Sequence, residues 1–181
     1  MTSAGDSQAG SLQARAITPD AICEAYAARV FKFAQLVSRD SANAEDLAQD
    51  ALERAVRGLA TFDPARGSVE AWLWRIVVNA ARDSGRIARR ERLVFESLVE
   101  RWTPEGESPG VADIRLEPVM SAVRSLSSRH RAVIALRYGA DLTHRDVGKA
   151  LGISEAAALM SIKRALAILR RRLSEGVDRD V

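Results

Sequence analysis

The sequence predicts an all-α protein: two small helical domains joined by an acidic flexible linker, the C-terminal one a helix-turn-helix. Three observations predict this. Aromatic residues make up only 5% of the chain, while alanine, leucine and arginine are plentiful, which favours helix over strand. Apolar residues recur at helical spacing, and no stretch alternates as a strand would. Residues 142–173, LTHRDVGKALGISEAAALMSIKRALAILRRRL, read as a short helix, a glycine turn and a longer basic helix.

The elements follow in order. Residues 1–17 are rich in Ser, Ala, Gly and Gln and are expected to form a disordered tail. Thr18-Pro19-Asp20 is a helix start: a cap, a proline at the first helical position, then an acid. The helix it opens carries Ile22, Tyr26, Val30, Phe33 and Val37 on one face, which reads as core. Cys23 lies in the same apolar stretch. As the single cysteine it forms no internal disulfide and reads as a small buried hydrophobe.

Residues 41–43 break that helix and start the next, over 44–59. One side is apolar, with Leu47, Ala48, Ala51, Leu52, Ala55, Val56 and Leu59. Asp46, Gln49, Asp50 and Glu53 fall at i, i+3, i+4 and i+7, an acidic and amide stripe. A stripe of this kind is usually just a solvated face. This one reads as nearly uncompensated by lysine or arginine, which suits a basic protein surface elsewhere.

Phe62 to Ser68 is a loop by its Asp-Pro, Gly and serine cap. It feeds a helix expected over 69–92, with Trp72, Leu73, Ile76, Val77 and Ala80 as apolar contacts and Trp72 assigned to the core. Arg75, Asn79, Arg82 and Arg86 line up along it, and Arg89, Arg90 and Arg92 extend the charge. A basic stripe centred on an asparagine, beside tryptophan, suits nucleic acid. Arginine neutralises phosphate, asparagine bonds a base edge and an aromatic stacks on an unpaired base. The plainer alternative is a solvated basic face over core tryptophans.

Residues 102–114, WTPEGESPGVADI, change to Pro, Gly, Glu and Ser and read as an acidic linker. Helical periodicity resumes at Leu116, Val119, Met120, Val123 and Leu126. Ser127 or Ser128 caps the next helix, which bears Val133, Ile134, Leu136 and Tyr138, and residues 139–141 turn into the helix-turn-helix. There, Thr143 caps the first helix with Asp146 completing a capping box. Gly152 ends it in the left-handed conformation. Ser154 caps the second helix, with Glu155 at its positive end. An ordinary helical hairpin is the plainer reading of the same segment. The domains are therefore expected at 18–99 and 116–175, with a linker at 100–115 and a tail at 176–181.

A net charge of +3 with a pI near 9.5 indicates charges of both signs segregated along the chain, pointing to a polyanion on one surface. No run is apolar enough to span a membrane and no signal-peptide core is present, so a cytoplasmic location is expected. His130 and His144 are isolated among polar neighbours. The spacings assemble no metal cluster, phosphate loop or nucleophile–base pair, so neither an enzyme nor a resident cofactor is expected.

Two segments in this order resemble the extracytoplasmic-function (ECF) group of RNA polymerase sigma factors, in the sigma-70 superfamily. Residues 44–83, AEDLAQDALERAVRGLATFDPARGSVEAWLWRIVVNAARD, resemble the group's first conserved domain. Residues 126–155, LSSRHRAVIALRYGADLTHRDVGKALGISE, resemble its second. The resemblance implies that Asp46, Gln49, Asp50 and Glu53 dock on the clamp hairpin of core RNA polymerase. It implies that the set Phe62, Arg66, Trp74, Arg75, Asn79, Arg82, Asp83 and Arg86 serves the minus-ten element. That set would open the promoter and hold the single-stranded non-template strand, Asn79 contacting a base edge. The linker would run toward the RNA exit path. Thr143, Arg145, Ser154, Glu155, Ala157, Lys163 and Arg164 would meet the duplex minus-thirty-five element, and that domain would lean on the polymerase flap. An anti-sigma protein is an implied partner, the free chain being a monomer or held 1:1 by that protein.

The chain departs from the group after Glu155. The helix reads Ala156-Ala157-Ala158-Leu159-Met160-Ser161 before its first basic residue, Lys163. Few polar side chains stand at its start to read bases, so phosphate contacts or DNA shape would carry recognition. Leu159, Ile162, Leu166, Leu169 and Leu173 form a heptad-like seam expected to pack within the domain. Two other readings stay open: a stand-alone helix-turn-helix regulator, and a sigma-like module held mainly by an anti-sigma protein.

Overall fold

A computed structural model describes residues 17–38, 40–98 and 117–177, all helix, turn or loop with no strand among them. The expected N-terminal tail, the linker core and the last four residues lie outside the described set. So do the side chains of Arg89, Arg90 and Arg92. Among the described residues there are seven α-helices: α1 (Pro19–Val37), α2 (Ser41–Gly58), α3 (Val69–Leu98), α4 (Glu117–Arg124), α5 (Ser128–Ile134), α6 (His144–Leu151) and α7 (Glu155–Val177).

The helix starts follow local chemistry. Thr18 Oγ1 accepts from the Ala21 amide at 3.2 Å, with Pro19 next to it. Ser68 Oγ accepts from the Ala71 amide at 3.2 Å to open α3. Of the two serines before α5, Ser127 is the cap. The start of α2 lies earlier than expected, because Asp40 rather than residues 41–43 supplies the cap: its Oδ1 accepts from the Asn43 amide at 2.8 Å. The third helix runs on to Leu98, six residues past the expected end.

Helices α1 to α3 form one bundle and α4 to α7 another. The two are not separate: α1 is wedged between them and its buried residues join a single core. On the side of α1 that meets α5, a turn of π-helix over Ala135–Gly139 follows that helix, closed by the Ala140 amide donating to the Ala135 carbonyl at 2.9 Å. Gly139 presses on α1 so closely that a Cβ there would lie 2.9 Å from Leu36 Cδ1 and 3.2 Å from the Lys32 carbonyl oxygen. A methyl there would displace the Leu36 side chain and press on the Lys32 backbone.

Arg29 of α1 fastens the same seam. Its Nε donates to the Ala140 carbonyl at 2.8 Å, its Nη2 pairs with Glu70 of α3 at 2.7 Å, and its guanidinium lies over Tyr26 and Trp74. Beneath it, Trp74 meets Phe33 edge to face at 5.9 Å. Burial, with Glu70 nearby, pushes the Tyr26 hydroxyl pKa up to about 12.

Candidate polymerase and nucleic-acid interfaces

The α2 stripe is exposed at Asp46, Gln49 and Glu53 and half-buried at Asp50. It is more compensated than its composition suggests. Arg54 pairs with Asp50 at 2.8 Å and Arg57 with Glu53 at 3.5 Å, both one helical turn on. Gln49 Nε2 donates to Glu53 Oε1 at 3.0 Å. Arg54 also reaches across to α3, where its Nη1 meets Asp83 at 2.8 Å, and Arg86 closes on the other oxygen of Asp83. These two guanidiniums hold the Asp83 carboxyl below its ordinary pKa, and the two aspartates in turn raise that of Arg54. Asp83, expected to face DNA, therefore serves as the tie between the two helices.

Beside the stripe, α1 and α2 leave an open apolar cleft of about 660 Å³ lined by Cys23, Ala27, Phe31, Leu52 and Val56, with Gln49 and Glu53 at its edge. Cys23 is half-buried in that wall, not sealed in the core, and Leu52 and Val56 are likewise half-buried.

The loop before α3 is held by its own short contacts. Asp63 accepts from the Ala65 amide at 2.9 Å, and Phe62 packs on Trp72 with ring centroids 5.3 Å apart. Arg66 is exposed. Along α3, Arg75, Asn79, Arg82 and Arg86 are all exposed and share one face, Arg82 donating to Asn79 Oδ1 at 3.4 Å. Trp74 does not join them: it is 0% exposed and cannot stack on a base. Trp72, assigned to the core, is half-buried beside Phe62. The aromatic surface next to the basic face is thus the Phe62–Trp72 pair.

In the second domain the turn between α6 and α7 is built as expected at Gly152, whose φ of 70° lies in the left-handed region. Gly148 lets the turn fold back, since a Cβ there would lie 2.8 Å from the Ile153 carbonyl oxygen. The capping box differs in detail. Thr143 Oγ1 accepts from the Asp146 amide at 3.2 Å and donates to Asp146 Oδ2 at 2.6 Å, so the aspartate holds the hydroxyl. Ser154 Oγ accepts from the Ala157 amide at 3.2 Å. Glu155 pairs with Arg145 at 3.5 Å. Lys163 and Arg164 are exposed, and Ala157 is half-buried on the flank. The buried seam of α7 is Ala158, Ser161, Ile162, Ala165 and Leu169; Leu159, Leu166 and Leu173 of the expected heptad are only half-buried.

Two residues not singled out in the sequence prove central: Arg29 at the seam and Arg54 between α2 and α3. The i, i+4 spacing of Asp50 and Arg54 was a visible signal for one of these. The contacts of Arg29 and the Arg54–Asp83 pair span sequence distances that no local pattern reports.

A helical bundle with an exposed basic face on α3, joined to a helix-turn-helix, defines the class of a DNA-binding protein. Residues 22–92 match the family Sigma-70 region 2, and residues 122–171 match Sigma-70, region 4. The ECF RNA polymerase sigma factor SigL of Mycobacterium tuberculosis is 31% identical, over 94% of this chain and 97% of that protein. The RNA polymerase sigma factor CarQ of Myxococcus xanthus is 30% identical, over 83% and 86%. The chain belongs to the sigma-70 family, in its ECF group. Among solved structures it is similar to CnrH in complex with the cytosolic domain of CnrY, with a TM-score of 0.62 and 25% identity over 98% of this chain and 96% of that one. It also shares its fold with the sigma factor RpoE in complex with the anti-sigma factor NepR from Bartonella quintana, with a TM-score of 0.61, 23% identity and 80% and 89% coverage. Sigma factors are transcription factors, and no helix among the described residues is long and apolar enough to cross a membrane.

Proposed function

We propose that this ECF sigma factor recruits core RNA polymerase through α2 and opens promoter DNA with α3. The observation that carries this division is the exposed face Arg75, Asn79, Arg82 and Arg86, held by Asp83 and Arg54 to the helix that bears Asp46, Gln49 and Glu53. The acidic stripe and the apolar cleft beside it together fit a basic, amphipathic helical hairpin, the clamp hairpin of the polymerase.

On α3 the arginines hold the non-template backbone and Asn79 bonds the edge of an extruded base. Phe62, Trp72 and Arg66 flank it. Unpairing a base takes a few kcal/mol, which its capture offsets, so opening runs on binding energy with no covalent step and no cofactor. Arg145, Lys163 and Arg164 hold the duplex minus-thirty-five element, and the second domain leans on the polymerase flap. The working units are residues 18–99 and 116–175, with the 100–115 linker near the RNA exit path. An anti-sigma protein, binding 1:1 in the cytoplasm, is the natural inhibitor; the likeness to the sigma factor RpoE in its complex with the anti-sigma factor NepR supports this reading.

The test is transcription by core polymerase on fragments of the source genome. Discrete start sites that appear only with this protein are expected. If no fragment yields a specific transcript, the assignment fails.

A further inference from the structure

The recognition helix exposes an apolar face. Ala156, Met160, Lys163 and Ala167 are exposed, and at about 100° per residue they fall within a sector of roughly 60°. Met160 stands at one edge of the sector, 48% exposed. Two hydroxyls that could have read base edges at this end of the helix are engaged, Ser154 and Thr143 each as a cap, and Glu155 is paired with Arg145, which itself stays exposed for a phosphate. What remains is a methyl and a thioether, edged by the exposed cations Lys163 and Arg164.

Positive charge at the edge of a small apolar patch fits a polyanion that also carries apolar atoms. Duplex DNA offers one such group in the major groove, the C5-methyl of thymine. Ala156 and Met160 lie four residues apart, about 6 Å along the helix, close to two base-pair steps at about 3.4 Å each. We propose that this sigma factor reads its upstream element through thymine methyl groups, with Ala156 and Met160 as the reading side chains and the cations on phosphates. The inference rests on the sigma-factor reading above and names what its second domain recognises.

The experiment replaces each thymine of the upstream segment protected by the holoenzyme, one at a time, with deoxyuridine, which removes only the methyl. Initiation is measured with wild-type, Met160→Ala and Met160→Leu holoenzymes, folding being checked by thermal melting. Two thymines within about three base pairs should each lower initiation threefold to fivefold when demethylated, by about 0.8 kcal/mol per buried methyl. At one of them Met160→Ala should abolish the difference between thymine and deoxyuridine, and Met160→Leu should restore it. Specific transcripts that are indifferent to every deoxyuridine overturn the inference and leave the sigma assignment standing. So does a Met160→Ala holoenzyme that keeps the full deoxyuridine response, even if the variant loses a protein partner. Absence of specific transcripts overturns both.

Discussion

The two long helices α3 and α7 both carry exposed arginines, yet they are held in different ways. On α3, packing closes both sides: α2 lies along one and α1 and α6 along others, and Trp74, Leu73, Val77 and Ala80 are all buried. Its polar residues are interlocked as well, Asp83 with Arg54 and Arg86, and Asn79 with Arg82. On α7, which α4, α5 and α6 cover, the buried residues keep to one side and the face with Ala156 and Met160 is exposed. In the proposed function the helix that captures a displaced base needs fixed positions, and the helix that reads a stacked duplex can use softer contacts.

The largest effect should come from loosening the clamped helix. Trp74→Ala removes a fully buried ring that meets Phe33 and lies beneath Arg29. It should destabilise the chain by about 3–5 kcal/mol and lower Tm by roughly 10 °C. Met160→Ala on the open helix should leave Tm unchanged, and equal shifts in calorimetry would erase the contrast.

Next comes function on the two faces of the first domain. Asn79→Ala should slow promoter opening tenfold to a hundredfold, the equivalent of about 1–3 kcal/mol for one base contact, with little change in polymerase affinity. Charge reversal at Asp46 should weaken polymerase binding about tenfold and leave opening by the assembled complex intact. Permanganate footprinting and a polymerase-binding titration, run on both variants, separate the two. Identical profiles would mean that docking and opening are not divided between α2 and α3.

A smaller effect belongs to the second domain. Ser154→Ala removes the cap of α7 and should lower stability by about 1 kcal/mol in urea unfolding, since its hydroxyl takes up the Ala157 amide. The smallest concerns the tie between α2 and α3. Because the folded Asp83 carboxyl sits below its ordinary value of 3.8, its contribution is present above that pH. It is lost as pH falls through the lower folded value. Arg54→Ala should therefore be less stable than the parent at pH 7, and the gap should narrow below pH 3.8. Urea midpoints across that range check it; a gap independent of pH would assign Arg54 a packing role only.

Much of this was legible in the sequence, because caps and glycine stops act within four residues. Thr18, Ser68, Thr143, Ser154 and Gly152 each do locally what their chemistry suggests. The start of α2 was less so, because Asp40, Ser41 and Asn43 are all good caps and only backbone geometry chooses among them. Trp74 was misplaced for a tertiary reason. Periodicity assigns a helix one buried side, and α3 has more than one because α1 and α6 also cover it. The acidic stripe looked freer than it is because Arg57 continues its line and Arg54 flanks it, each pairing with the acid one turn before it. That the two bundles share one core follows from Arg29, Leu36 and Gly139, residues that no motif joins.

The π turn over Ala135–Gly139 has a meaning in terms of insertion and deletion. Its extra residue advances the chain by about 100° relative to a continuous α-helix. This lets Leu136 stay buried while Gly139 is aimed at Lys32 and Leu36 of α1. A chain shortened by one residue here would heal into a regular helix, and everything beyond it would be rotated away from the seam. The segment borders a turn, where length changes are ordinarily tolerated, yet its residue count is as constrained as any identity in the core.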